Sequence, residues 1–190
     1  PFPLGRFAGW RVTHEDLFPL SVGFLGAGQM ATALAAAWAK ARLIDLARSR
    51  AADPYPEARA KFEAATGVPT LPTNGAVAQL CDVLVLAVKP QVLPDVLAEL
   101  KPSLEPRHFV ISIAAGVTLD TLADGLGTER LARVMPNTPC LVGASASGYA
   151  TRNKRPNSTD VGVVGKLFGA VGQAHHLPEH LLDAVTGLSG

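Results

Sequence analysis

The chain has 190 residues, 48% apolar and 17% charged, which is ample for a packed core of one large domain and too weakly charged for a disordered chain. Its 17 basic and 16 acidic side chains leave a formal charge of +1, so electrostatics give no case for nucleic acid or an anionic membrane as a partner. No apolar run approaches the roughly 18 residues that would cross a bilayer, and the two cysteines, Cys81 and Cys140, have no CxxC or metal-type spacing and read as buried, reduced thiols of a cytoplasmic protein.

Residues 1–19 carry Arg6, Arg11, His14, Glu15 and Asp16 without an apolar h-region, so they read as an extension before the first strand and not as a signal peptide. The stretch from Leu20 to Leu25 is then a short apolar strand that breaks at Gly26 and passes into an Ala-rich helix over 29–42. A second strand is expected within 43–52, ending at Asp53-Pro54, and a helix over 56–65, stopped by Gly67. A short strand follows at 68–71, and Asn74 is placed to cap a small helix over 75–80. Residues 82–88 form a continuous apolar run of the kind buried on both faces of a parallel sheet. Beyond Lys89-Pro90 come an amphipathic helix (92–100), a buried strand (109–113), a helix (119–126), a strand (131–135), an edge strand (143–150), a helix (160–172) and a last helical piece from about Pro178. Strands alternating with helices in this way imply an α/β fold, a Rossmann-type doubly wound, mostly parallel sheet with helices on both faces.

In such a sheet the ligand site lies at the carboxyl ends of the strands, where strand order reverses. The first strand end carries Gly26-x-Gly28-x-x-Ala31, the alanine variant of the dinucleotide fingerprint. Gly26 permits the tight turn and Gly28 admits a pyrophosphate. Ala31 lets the helix pack closely, and the helix N-terminus offers N–H groups to the anion. Asp53, 25 residues beyond Gly28, is placed either to take the adenosine ribose hydroxyls or simply to start an Asp-Pro turn. Arg48 and Arg50 lie near it in sequence and would instead favour a 2′-phosphate, which leaves NADH and NADPH both open. Lys89 puts a cation directly after a buried strand, and Pro136 and Pro139 bracket Asn137 and Thr138, fixing the backbone around an amide and a hydroxyl. His175, His176 and His180 would suit a metal only with His176 and His180 one helical turn apart. Pro178 interrupts them and no acid or thiol completes a set, so no metal is assigned. The run Arg152, Lys154, Arg155 reads as a solvated turn, and no Gly-x-Ser-x-Gly elbow supports nucleophilic hydrolysis.

Five segments together resemble the pyrroline-5-carboxylate reductases, the last enzymes of proline synthesis. They run from Val22 to Ala31, from Leu86 to Gln91, from Ser112 to Thr118, from Arg133 to Pro139 and from Asp183 to Gly190. The resemblance implies NAD(P)H-dependent reduction of the cyclic imine 1-pyrroline-5-carboxylate to L-proline. It implies that Leu25, Gly26, Ala27, Gly28, Gln29 and Met30 hold the pyrophosphate and that Asp53 meets the adenosine ribose region. Asn74, Ala87, Val88, Lys89 and Pro90 become further cofactor contacts. Ala114, Ala115 and Gly116 would line the nicotinamide pocket, with Asn137 in the floor shared with the substrate. The resemblance leaves the catalytic residues unassigned, the main substrate-site residues being expected beyond Gly190, with Lys89, Asn137 and Thr186 as candidate contributors.

The family continues past the Thr-Gly-Leu-Ser-Gly element into a helical dimerisation domain that carries much of the substrate site. The resemblance therefore divides the chain into an extension (1–19), a dinucleotide-binding domain (20–178) and the start of that helical domain (179–190). It makes a homodimer or higher oligomer the expected assembly and leaves the isolated chain a coenzyme binder without turnover. Two other classes stay open: a different reductase on the same scaffold, of β-hydroxyacid or F420-dependent type, and a non-catalytic nucleotide-binding module.

Overall fold

A computed structural model describes residues 17–137, 139, 144–152 and 159–183. Short apolar runs rich in Val, Ile, Leu and Phe form β1 (Val22–Leu25), β4 (Val83–Leu86) and β5 (Phe109–Ser112), whose residues are all buried, as expected of strands covered on both faces. With β2 (Arg50–Ala52), β3 (Thr70–Leu71) and β6 (Leu131–Met135) they make the parallel part of an eight-stranded sheet of order 3-2-1-4-5-6-7-8. The last two strands, β7 (Ser145–Thr151) and β8 (Gly172–His176), run against that direction: β7 pairs antiparallel with β6, and β8 parallel with β7.

Helices cover both faces. Helix α1 (Gln29–Lys40), α2 (Pro56–Thr66) and α6 (Thr159–Gly169) pack over a core holding Phe24, Phe62, Trp38 and Phe168, with Trp38 Nε1 donating to the Leu167 carbonyl at 2.7 Å. On the other face α3 (Asn74–Leu80), α4 (Leu93–Leu100) and α5 (Leu119–Leu126) enclose Leu84, Leu86, Leu97, Leu100, Val110 and Leu122. Gly23 lets α3 lie this close to β1, since a methyl group there would stand 2.5 Å from Val77 Cγ1. Cys81 is buried under α3, and burial pushes its thiol up to about 11, so at neutral pH it packs as an inert apolar side chain. No helix among the described residues is long and apolar enough to cross a membrane.

Five expectations change. The second strand shrinks to Arg50–Ala52, because Asp45 accepts from the backbone N–H groups of Ala47, Arg48 and Ser49 and turns the chain, leaving a single bridge from Ile44 to Leu20. The seventh strand is internal, since β8 continues the sheet beyond it. That strand starts at Gly172, where φ is +148° and a Cβ would fall 2.0 Å from the Ser145 carbonyl oxygen, so the helix must end before it, at Gly169. The small helix is capped by the Thr73 hydroxyl, which accepts from Ala76 N at 3.4 Å, and Asn74 is its first residue. The helical piece expected near Pro178 is a 3-10 turn, Glu179–Leu181.

Candidate dinucleotide site

Strand order reverses between β1 and β4, and the residues beyond their carboxyl ends are tied into one surface. Gly26 N donates to the Ala52 carbonyl (2.8 Å), Ala87 N to Leu25 (2.9 Å) and Ile113 N to Leu86 (3.1 Å), so the ends of β1, β2, β4 and β5 are held in register. Gly26 has φ +104°, and a Cβ on it would sit 2.8 Å from the Ala87 carbonyl oxygen, so only glycine permits the turn there. Gly28 is the opposite case. It is exposed, its φ is an ordinary −76°, and a Cβ would meet no atom within 4 Å. Its hydrogen is needed by nothing inside the protein, so any demand for glycine must come from what binds over it.

Gly28 is also the N-cap of α1 and offers no side chain, and the first turn of α1 holds no acidic residue. The N–H groups of Gln29, Met30 and Ala31 at the start of this 12-residue helix thus have no side-chain cap among the described residues. By contrast α3 and α5 are capped by Thr73 and Thr118. A glycine cradle facing an uncapped helix N-terminus at the switch point fits the pyrophosphate of a dinucleotide.

The other expected site residues follow the carboxyl ends of the parallel strands. Asp53 Oδ2 accepts from Ala27 N at 3.0 Å, inside the glycine turn, while Oδ1 accepts from Tyr55 N at 2.9 Å. The carboxylate therefore starts the Asp-Pro turn and also faces the glycine loop. Asn74, three residues beyond β3, is gripped by Glu99 of α4, whose carboxylate accepts from Asn74 N (3.0 Å) and Nδ2 (2.6 Å). Ala87 and Val88 are half-buried. Lys89 and Pro90 are exposed, and the Lys89 ammonium has no hydrogen-bond or ion-pair partner among the described residues. Ala114 is buried beneath exposed Ala115 and Gly116, the latter at φ +72° with open space over it. Asn137 Oδ1 accepts from Ala146 N at 3.1 Å, fastening the end of β6 to the start of β7. Thr138, Cys140 and Thr186 lie outside the described residues.

Other sequence candidates fall elsewhere. Arg50 opens β2, with its guanidinium on the Ala47 and Ser49 carbonyls, and Arg48 pairs with Asp82, just ahead of β4. Both arginines belong to the amino edge of the sheet, opposite the glycine turn, and cannot receive a 2′-phosphate there. Burial pushes the Asp82 carboxyl up, but hydrogen bonds from Arg107 and Ser21 outweigh this and hold it below its usual range. His176 lies in β8 with its ring on Tyr149 (5.1 Å), so the helical-turn spacing with His180 is not formed. Arg152 is paired with Asp120 and Glu129. A cavity of about 880 Å³ between α5 and the segment after β8, lined by Leu119, Arg152, His176 and Leu177 among others, contains none of the expected site residues.

Two features were missed in the sequence. Glu99 gave no signal, because one acid on an amphipathic helix looks like any solvated residue. Arg133 did carry one, a charge in the middle of the apolar strand Leu131–Met135. It is 1% exposed, pairs with Glu179 (3.6 Å) and Asp183, and Glu179 also accepts from Leu119 N at 2.6 Å.

Residues 21–116, just over half of the chain, match the family model described as NADP oxidoreductase, coenzyme F420-dependent. The chain belongs to this family. Within this oxidoreductase family its similarity is to pyrroline-5-carboxylate reductases, as the five segments implied. It is 42% identical to the enzyme of Methanosarcina acetivorans over 171 residues, covering 89% of this chain and 63% of that protein. It is 37% identical to that of Glycine max over 180 residues, covering 92% and 65%. The crystal structure of Plasmodium falciparum pyrroline carboxylate reductase with NADP bound superposes with a TM-score of 0.78 at 35% identity, covering 90% of this chain and 62% of that one. The chain thus spans less than two thirds of each relative.

Proposed function

We propose that the chain is the dinucleotide-binding domain of an NAD(P)H-dependent reductase that converts 1-pyrroline-5-carboxylate to L-proline. The reading rests on one observation above the rest: a glycine that the fold does not need, Gly28, faces an uncapped helix N-terminus at the switch point. The similarity to pyrroline-5-carboxylate reductases across about nine tenths of the chain supplies the substrate class.

When bound, the nicotinamide supplies a hydride to the imine carbon. This chain's part is alignment and exclusion of water. The turn from Leu25 to Met30 holds the pyrophosphate, Asp53 and Asn74 take the adenosine ribose, and Ala87, Val88, Lys89 and Pro90 line the middle of the coenzyme. Ala114, Ala115 and Gly116 would line the nicotinamide pocket, with Asn137 in the floor shared with the substrate. Lys89, without an ion-pair partner among the described residues, would offer positive charge to phosphate or substrate carboxylate, and Thr186 would complete the substrate side. A second reading, hydride exchange between NADP and coenzyme F420, follows from the description of the family model, but those matched residues end at 116, ahead of β6. We place the domain at 20–178, between an extension (1–19) and the start of a helical domain (179–190), and expect a cytoplasmic homodimer or higher oligomer with neither nucleic acid nor membrane as a partner.

A full-length parent protein that joins these residues to the helical domain is expected to oxidise NADH or NADPH when 1-pyrroline-5-carboxylate is added, with one L-proline formed per coenzyme. Oxidation that needs F420 instead would select the second reading. Asp53→Ser removes the carboxylate from the glycine loop and is expected to shift the ratio of NADH to NADPH affinity toward NADPH, while lowering stability through loss of the Tyr55 N–H acceptor. A lower melting temperature with an unmoved ratio would leave Asp53 as a turn residue alone.

A further inference from the structure

Glu99 lies on α4 and touches Asn74, a residue expected at the coenzyme, so its effect on that amide bears on which dinucleotide is accepted. A carboxylate can only accept hydrogen bonds. The contact of 2.6 Å therefore fixes the amide: Nδ2 donates to Glu99 Oε2, and the second carboxylate oxygen holds the Asn74 backbone N–H at 3.0 Å. The atom left for a ligand is Asn74 Oδ1, an acceptor. Ala52 and Leu71 are register partners, so Asp53, one residue beyond β2, and Asn74, three beyond β3, stand on neighbouring strand ends. Asp53 is tied in turn to the glycine loop through Ala27 N.

We infer that Glu99, by locking the Asn74 amide with its oxygen outward, selects a dinucleotide whose adenosine ribose carries a free 2′-hydroxyl over one with a 2′-phosphate. The inference rests on the dinucleotide site proposed above. A hydroxyl donates to Asn74 Oδ1. A phosphate needs donors, and at this corner it meets that oxygen and the charges of Glu99 and Asp53. Arg59 works in the other direction, but its Nη1 is held by the carbonyls of Asp53 (2.7 Å) and Pro54 (3.4 Å). Arg48 and Arg50 are at the far edge of the sheet, so the arginines nearest in sequence do not rescue phosphate binding.

Fluorescence titration of the whole chain with NADH and with NADPH tests this without any need for turnover. The wild type is expected to bind NADH at least fivefold more tightly. Glu99→Gln removes the charge and lets the amide turn its nitrogen outward, because the glutamine Nε2 can donate to Asn74 Oδ1. It should move the ratio at least fivefold toward NADPH, whereas Glu99→Asp, which keeps a carboxylate on α4, should move it less. Asn74→Ala removes the acceptor itself and should weaken NADH several-fold with little change for NADPH. This carries the test alone if Glu99→Gln does not fold. Tight binding of both coenzymes with ratios within twofold of one another across wild type and variants overturns the role of Glu99 and leaves the site standing, as does a wild type that prefers NADPH. A wild type that binds neither coenzyme overturns both the role and the site.

Discussion

Replacing Gly28 by valine is expected to weaken dinucleotide binding by more than ~2 kcal/mol, roughly 30-fold in Kd, with the fold intact. The two halves of that statement have separate grounds. The fold survives because a Cβ at this position meets no protein atom within 4 Å and the backbone there has φ −76°, which any residue adopts. Binding fails because the branched side chain would fill the space through which a pyrophosphate reaches the N–H groups of Gln29, Met30 and Ala31. Gly26→Val makes the control. With φ +104° and the Ala87 carbonyl oxygen 2.8 Å from a Cβ, it should lose stability as well as binding. Calorimetric titration with either coenzyme, alongside thermal melts, separates the two. Unchanged affinity in folded Gly28→Val would remove the pyrophosphate from this loop.

The same contrast shows what the sequence reveals and what it hides. The glycine turn and the buried strands of the parallel sheet were legible because they rest on local rules: an apolar run needs cover on both faces, and a strand that must turn at once into a helix needs small residues. The short second strand was not, because Asp45 turns the chain through three backbone N–H groups, a competition that apolar pattern alone does not register. Strand β8 escaped because Gly172–His176 is Gly-Gln-Ala-His-His, a polar stretch that becomes a strand only by hydrogen bonding to β7. Asp53 presented two readings in sequence: the turn reading describes Oδ1, which accepts from Tyr55 N, while Oδ2 accepts from Ala27 N in the glycine loop, and the ribose reading is left to the coenzyme ratio of Asp53→Ser. Arg48 and Arg50 misled for a simple reason: Arg48 precedes β2 and Arg50 opens it with its guanidinium turned back onto the Ala47 and Ser49 carbonyls, whereas Asp53 follows the strand's other end.

Neutralising both partners of Arg133, as Glu179→Gln with Asp183→Asn, is expected to cost about 3 kcal/mol of stability, roughly 6–12 °C in melting temperature for a domain of this size. Arg133 is 1% exposed, and its Nε has no hydrogen-bond partner among the described residues, so its compensation rests on the two carboxylates. Amide replacements keep hydrogen-bond acceptors in place and remove only the charge, which leaves a buried guanidinium uncompensated. The value sits at the lower end for buried pairs because the carboxylates are 29% and 65% exposed and partly screened by water. Arg133→Met takes the charge and the desolvation away together while keeping a flexible apolar chain on the face of β6 that also carries Leu131 and Met135. It should therefore cost less than the double neutralisation, even though it deletes the whole network. Glu179 also holds Leu119 N at the start of α5, so the network fastens the segment after β8 to both the sheet and that helix. Thermal melts of the two variants side by side decide the matter. If Arg133→Met is as damaging as the paired amides, the arginine stabilises through the shape of its side chain, and compensation of its charge is not what holds residues 179–183 in place.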